Sequence, residues 1–153
     1  MLTLKLERAE AKPIEALAPA IALEEWSPDN APAAHAIEAP NDLDLQSLDP
    51  RIFEAPAIVL SFPTFKDGRA FSQARRLRED FSYRGELVAR GDILPDQALF
   101  LARVGFTIVE VKDPKENTPA LFTKALNAFS APYQAASDAV SPAARRRRGA
   151  LAA

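Results

Sequence analysis

Two short polar clusters carry the residue types from which a small-anion site is built. The first, Pro63-Thr64-Phe65-Lys66-Asp67-Gly68-Arg69, offers Thr64, Lys66, Asp67 and Arg69 around a glycine. The second offers Asp92, with Asp96 and Gln97 a turn later. Lys66 and Arg69 supply positive charge. A helix starting at Gly68–Arg69 presents free N–H groups and the positive end of its dipole, and Gly68 lets a ligand approach the backbone. A small oxyanion fits this chemistry, with Asp67, Asp92 and Asp96 as candidate acid or base groups. The same residues have a structural reading. Asp67 can cap the helix by accepting its orphan N–H groups, and Arg69 and Lys66 can pair with Asp92 or Asp96 to hold two loops together.

Further arginines crowd the next stretch. Arg75, Arg76, Arg78 and Arg84 lie among Glu79, Asp80 and Glu86, at spacings that make intrahelical ion pairs. Arg78 sits at the margin of an apolar stripe, so burial and pairing are expected of it, and Arg103 is similar. Arg75 and Arg84 are expected on a solvated or partner-facing basic face. His35, the only histidine, lies in a Pro/Ala-rich stretch and is expected to be incidental.

The rest of the composition excludes whole classes of chemistry. Among 153 residues there is no Cys and one His. Thiolate zinc sites, iron–sulfur clusters, Cys nucleophiles and multi-His metal centres are therefore ruled out. No metal and no cofactor is expected. There is no Gly-x-Gly-x-x-Gly, P-loop or nucleophile elbow. No apolar run approaches the roughly 20 residues of a membrane span. The opening residues Met-Leu-Thr-Leu-Lys-Leu-Glu-Arg interrupt any signal-peptide core with charge, so the expected location is the cytoplasm. The formal charge of −2 conceals an asymmetry: residues 1–55 hold 4 basic and 11 acidic residues, whereas residues 113–153 hold 6 basic and 3 acidic. This is not the charge pattern of a nucleic-acid binder. The run Arg145–Arg148 is expected to be solvated.

These side chains need elements to position them. Four of the five glycines and six of the nine phenylalanines fall within 56–112, but only three of the 13 prolines. The core belongs there. Ala57–Phe62 is a continuous apolar run, as in a central strand buried on both faces. Ala70, Ala74, Leu77 and Phe81 form one helical stripe over about Arg69–Tyr83, with Gly85 placed to end it. Glu86–Arg90 predicts a strand. Pro95 opens a helix that Gly105 ends, Phe106–Val111 predicts another strand, and Pro119 opens a last helix. Upstream, Ala36-Ile37-Glu38 predicts a short strand and Asp42 the cap of a helix that Pro50 keeps short or broken. Leu2, Leu4 and Leu6 alternate as in a strand or extended arm, with Trp26 as an apolar plug. The β-α-β-α-β-α-β-α order predicts a small α/β domain over 35–135 with a mainly parallel sheet. A half-barrel of the same units is the alternative. A loose N-terminal arm, 1–34, and a disordered basic tail, 136–153, flank it.

Residues 61–106 carry a family resemblance. The matching elements are Phe62-Pro63 with Phe65, Asp67-Gly68-Arg69, Ser72 with Ala74-Arg75, and Leu77-Arg78. They continue through Tyr83-Arg84-Gly85-Glu86-Leu87, Gly91-Asp92, Asp96-Gln97 and Arg103 with Gly105-Phe106, and Tyr133-Gln134 resembles a further short element. Together they resemble an uncharacterised bacterial family, a domain of unknown function encoded beside sulfite reductase in sulfate-assimilation operons and labelled as oxidoreductases of sulfite reduction. Phe71 stands where that family usually has a tyrosine, Val104 where cysteine is common, and Val88-Ala89-Arg90 replaces the usual Arg-Ala-Val. A mechanism using that hydroxyl or thiol is closed to this chain.

The resemblance implies a role in assimilatory sulfite reduction and cysteine biosynthesis. A self-contained redox enzyme needs a centre for which these residues offer no ligands. The first expectation is therefore an accessory protein that docks on sulfite reductase or another sulfur-assimilation enzyme, with no nucleic-acid or membrane partner. The alternative is a small enzyme of the same pathway acting on an anionic substrate at the Lys66–Arg69 loop.

Overall fold

A computed structural model of the chain describes residues 1–7, 9–17, 19–29 and 35–129. The expected tail over 136–153, the Arg145–Arg148 run and Tyr133-Gln134 lie outside the described residues. The strands are β1 (Leu2–Leu6), β2 (Ala11–Ile14), β3 (Ile21–Ala22), β4 (Ile37–Ala39), β5 (Ala57–Phe62), β6 (Glu86–Gly91) and β7 (Ile108–Val111). The helices are α1 (Arg69–Glu79), α2 (Ala98–Val104) and α3 (Thr118–Leu126). Together they form one α/β unit.

The strands make a seven-stranded open sheet in the order β2-β1-β7-β6-β5-β4-β3. Strands β3 to β7 are parallel, while β1 pairs antiparallel with both β7 and β2. Each parallel step moves one place in the same direction. Right-handed crossovers then put every connecting helix on the same face. The packing agrees: Ala70, Ala74 and Leu77 of α1, Leu101 and Val104 of α2, and Phe122 and Leu126 of α3 share one core with Ile58, Leu60, Phe62, Leu87, Ala89 and Val109.

The opposite face buries a smaller strip, Ala36, Ala57, Val59, Val88 and Ile108. What covers it comes from the N-terminal segment expected as an arm. That segment supplies β1 and β2 on one edge of the sheet and β3 on the other. Between β2 and β3 it passes over this strip, with Ile14, Leu17 and Ala20 packed on the apolar residues.

Two local expectations need correcting. Asp42 caps no helix: Pro50 allows only two 3-10 turns, Leu45–Ser47 and Pro50–Glu54, capped by Asp44 and Asp49. Helix α1 stops at Glu79, before Gly85. The chain leaves it to bury Tyr83, whose hydroxyl donates to the Ala55 carbonyl at 2.9 Å. Burial pushes that hydroxyl's pKa above its ordinary value. Gly85 is needed for another reason than a helix stop: a Cβ there would lie 2.1 Å from the Tyr83 hydroxyl and 2.8 Å from the Ala55 carbonyl oxygen.

Candidate functional site

Both predicted polar clusters leave the C-terminal ends of adjacent strands, residues 63–68 after β5 and residues 92–97 after β6. The first cluster is already internally paired. Asp67 accepts from the Arg69 backbone N–H at 3.2 Å, from Arg69 Nε at 3.0 Å and Nη2 at 2.7 Å, and from Asn41 Nδ2 at 2.7 Å. The Arg69 side chain, then its N–H, with help from Asn41, hold the Asp67 carboxyl far below the usual carboxylate range. Asp67 in turn raises the Arg69 pKa. One N–H at the start of α1, that of Arg69, is thus taken by the chain's own carboxylate. A Cβ at Gly68 would meet no atom within 4 Å, so the space beside it is open.

Arg69 pairs with Asp67, and the expected bridge from Arg69 to Asp92 or Asp96 is not made. The two loops are coupled differently. Asp92 accepts the Phe65 backbone N–H at 3.0 Å. Gln97 turns back on its own turn, accepting from the Leu94 N–H at 3.0 Å. Thr64, Lys66 and Asp96 are exposed.

The arginines divide. Arg75 and Arg76 make exposed pairs with Glu79 and Asp80, four residues on. Arg84 is exposed and Arg103 half-buried. Arg78 donates to the carbonyls of Gly105, Tyr83 and Gly85 at 2.7–3.1 Å and lies over the Tyr83 ring. Burial lowers its pKa. It ties the end of α1 to the start of β6 and to the turn after α2, a structural task. His35 is half-buried, and its Nδ1 is buried without a hydrogen-bond partner among the described residues.

Sequence reasoning missed a polar row on the face opposite the helices. Thr3, Glu110, Arg90 and Ser61 are register partners across β1, β7, β6 and β5. Arg90 donates through Nε to Glu110 and through Nη1 to Glu38 of β4, and Ser61 donates to the same Glu38 carboxylate. Glu110 is 1% exposed. Burial works against the Arg90 charge, but Glu110 and Glu38 outweigh it and raise its pKa. The signal was present as polar residues inside otherwise apolar strands. It becomes a row only when the register is known.

Three large apolar side chains are left exposed near the two loops: Phe65 at 40%, Leu94 at 43% and Phe100 at 53%. Phe100 rests on Phe71 with ring centroids 4.8 Å apart, and Phe71 packs on Phe62. Among the described residues, no helix is long and apolar enough to cross a membrane, and no group of three or more His, Cys, Asp and Glu residues is placed to hold a metal ion.

This singly wound α/β unit matches the family model described as a bacterial protein of unknown function, DUF934, over residues 36–144. The chain belongs to that family. No curated protein and no solved structure matches it.

Proposed function

We propose that the protein is an accessory factor of assimilatory sulfite reduction, serving cysteine biosynthesis in the cytoplasm by docking on sulfite reductase or another enzyme of sulfur assimilation. The pathway rests on the resemblance carried by residues 61–106. The docking mode rests on one observation: the loops after β5 and β6 bind their own polar groups and leave Phe65 and Leu94 in water. Asp67 is taken by Arg69 and Asn41, and Asp92 by the Phe65 N–H. Beside the exposed Thr64, Lys66 and Asp96, the loops leave apolar surface, and apolar surface is what a protein interface covers. The exposed Lys66 and the open space at Gly68 support the alternative, an anionic substrate at the Lys66–Arg69 loop.

One experiment separates the two readings. Tagged protein is used to retain sulfite reductase from extract at low salt, and growth on sulfite is scored in the same strains. Docking predicts that Phe65→Ala and Leu94→Ala each weaken retention roughly tenfold, as central apolar contacts do, while Lys66→Ala changes it little. A substrate site predicts the reverse: Lys66→Ala with Arg69→Ala abolishes growth on sulfite, and Phe65→Ala is silent. A wild-type protein that retains no sulfur-assimilation enzyme defeats the docking reading. Deletion of the gene without cysteine auxotrophy defeats the pathway.

A further inference from the structure

Resting on the docking reading, a role follows for Asp92. Its backbone is anchored from both sides. The Asp92 N–H donates to the Phe62 carbonyl at 3.0 Å, and the Ile93 N–H to the Gly91 carbonyl at 3.1 Å, with Ile93 itself buried. Gly91, paired with Phe62 in the sheet, allows this approach: its φ is 131°, and a Cβ there would lie 2.2 Å from the Phe62 carbonyl oxygen.

From this fixed backbone the carboxylate reaches across to the neighbouring loop and takes the Phe65 N–H. The far end of that loop is tied separately, through Asn41 to Asp67 and through the Asp67 N–H to the Thr64 carbonyl. Phe65 carries the first tie on its own N–H, and among the described residues its ring pairs with no other ring. Its side chain is 40% exposed. A contact residue that must be ordered on binding weakens the complex, and one ordered beforehand does not.

We propose that Asp92 is a positioning residue, whose carboxylate clamps residues 63–68 to the β6 end and pre-organises Phe65 beside Leu94 for the docked enzyme. Asp92 then contributes no charge to the interface. It contributes an acceptor for one backbone N–H, and an amide oxygen supplies the same acceptor.

The test is the affinity for purified sulfite reductase of the full chain and of Asp92→Ala, Asp92→Asn, Phe65→Ala and the Asp92→Ala/Phe65→Ala pair. Asp92→Ala should weaken binding roughly tenfold, and Asp92→Asn should stay within about twofold of wild type. The double variant should bind no more weakly than Phe65→Ala alone, because the two act through one contact. Losses that multiply, or an Asn variant as weak as Ala, overturn the proposal. Where wild type shows no affinity, docking on sulfite reductase falls and the clamp is judged alone by exchange of the Phe65 amide. Asp92→Ala should then speed exchange roughly fivefold while Asp92→Asn does not; equal rates in all three proteins refute the clamp.

Discussion

Asp49 and Asp67 perform the same local task, each accepting the N–H two residues on and pairing with that residue's guanidinium. Arg51 lowers the Asp49 pKa to about 2, and Arg69 with Asn41 carries Asp67 lower still. Because folded-state values are depressed, the stability these groups contribute is complete above the ordinary aspartate value of about 3.9 and is lost as pH falls through the folded value. NMR titration of the carboxyl carbons should therefore find Asp49 with a midpoint near 2. Asp49→Asn should remove part of the loss of stability that wild type shows between about pH 4 and 2. Arg51 and Arg69 face solvent, so added salt should shrink the effect. Tyr83 gives a separate measure. Tyr83→Phe deletes the donor to the Ala55 carbonyl and should cost about 1 kcal/mol in urea unfolding.

At the scale of elements, the row Glu38–Ser61–Arg90–Glu110 joins four parallel strands where the adjacent strip on the same face is apolar. A fully buried carboxylate is tolerable only while its partner stands beside it. Arg90→Ala should cost about 3–5 kcal/mol in urea unfolding, because Glu110 is then buried and unpaired. Arg90→Met combined with Glu110→Leu should recover most of that loss, since apolar neighbours of similar size replace a buried pair well. A double variant as unstable as Arg90→Ala would show that the row does more than satisfy itself. The row also marks the limit of what could be read in advance. Ala57–Phe62 declares itself as a central strand because burial on both faces demands an unbroken apolar run. Ser61 and Glu110 inside such runs look like isolated exceptions. Only pairing between strands, which depends on contacts far apart in sequence, makes them neighbours. Helix α1 failed at its end for a similar reason. The apolar period continues to Phe81, but Arg78 gathers distant carbonyls and Tyr83 takes the buried place. The polar loops were legible as clusters. Their pairing was not, since Arg69 had acidic candidates on both loops and the nearest, Asp67, also accepts the Arg69 N–H.

For the whole molecule, the boundary of the family match and the boundary of the packed unit differ. The match begins at residue 36, after β1, β2 and β3. Yet β1 occupies the edge of β7 over four register pairs, and Leu4 is fully buried in the main core. The same N-terminal segment lays Ile14, Leu17 and Ala20 over the opposite face. Burial of Leu4 alone is worth about 2 kcal/mol. Without residues 1–29, β7 would present an open edge whose residues Ile108–Val111 are all buried in the intact chain. The strip of Ala57, Val59, Val88 and Ile108 would be bared beside it. An exposed apolar face next to an unpaired strand is an aggregation surface. Removal of residues 1–29 should therefore give a protein that binds a hydrophobic dye and elutes as soluble aggregate in size-exclusion chromatography. Leu4→Ala in the full chain should remain soluble and lose about 2–3 kcal/mol in urea unfolding. A truncated protein that stays monomeric with unchanged stability would mean that the matched region folds without its N-terminal cover, and that β1 is an accessory to the sheet.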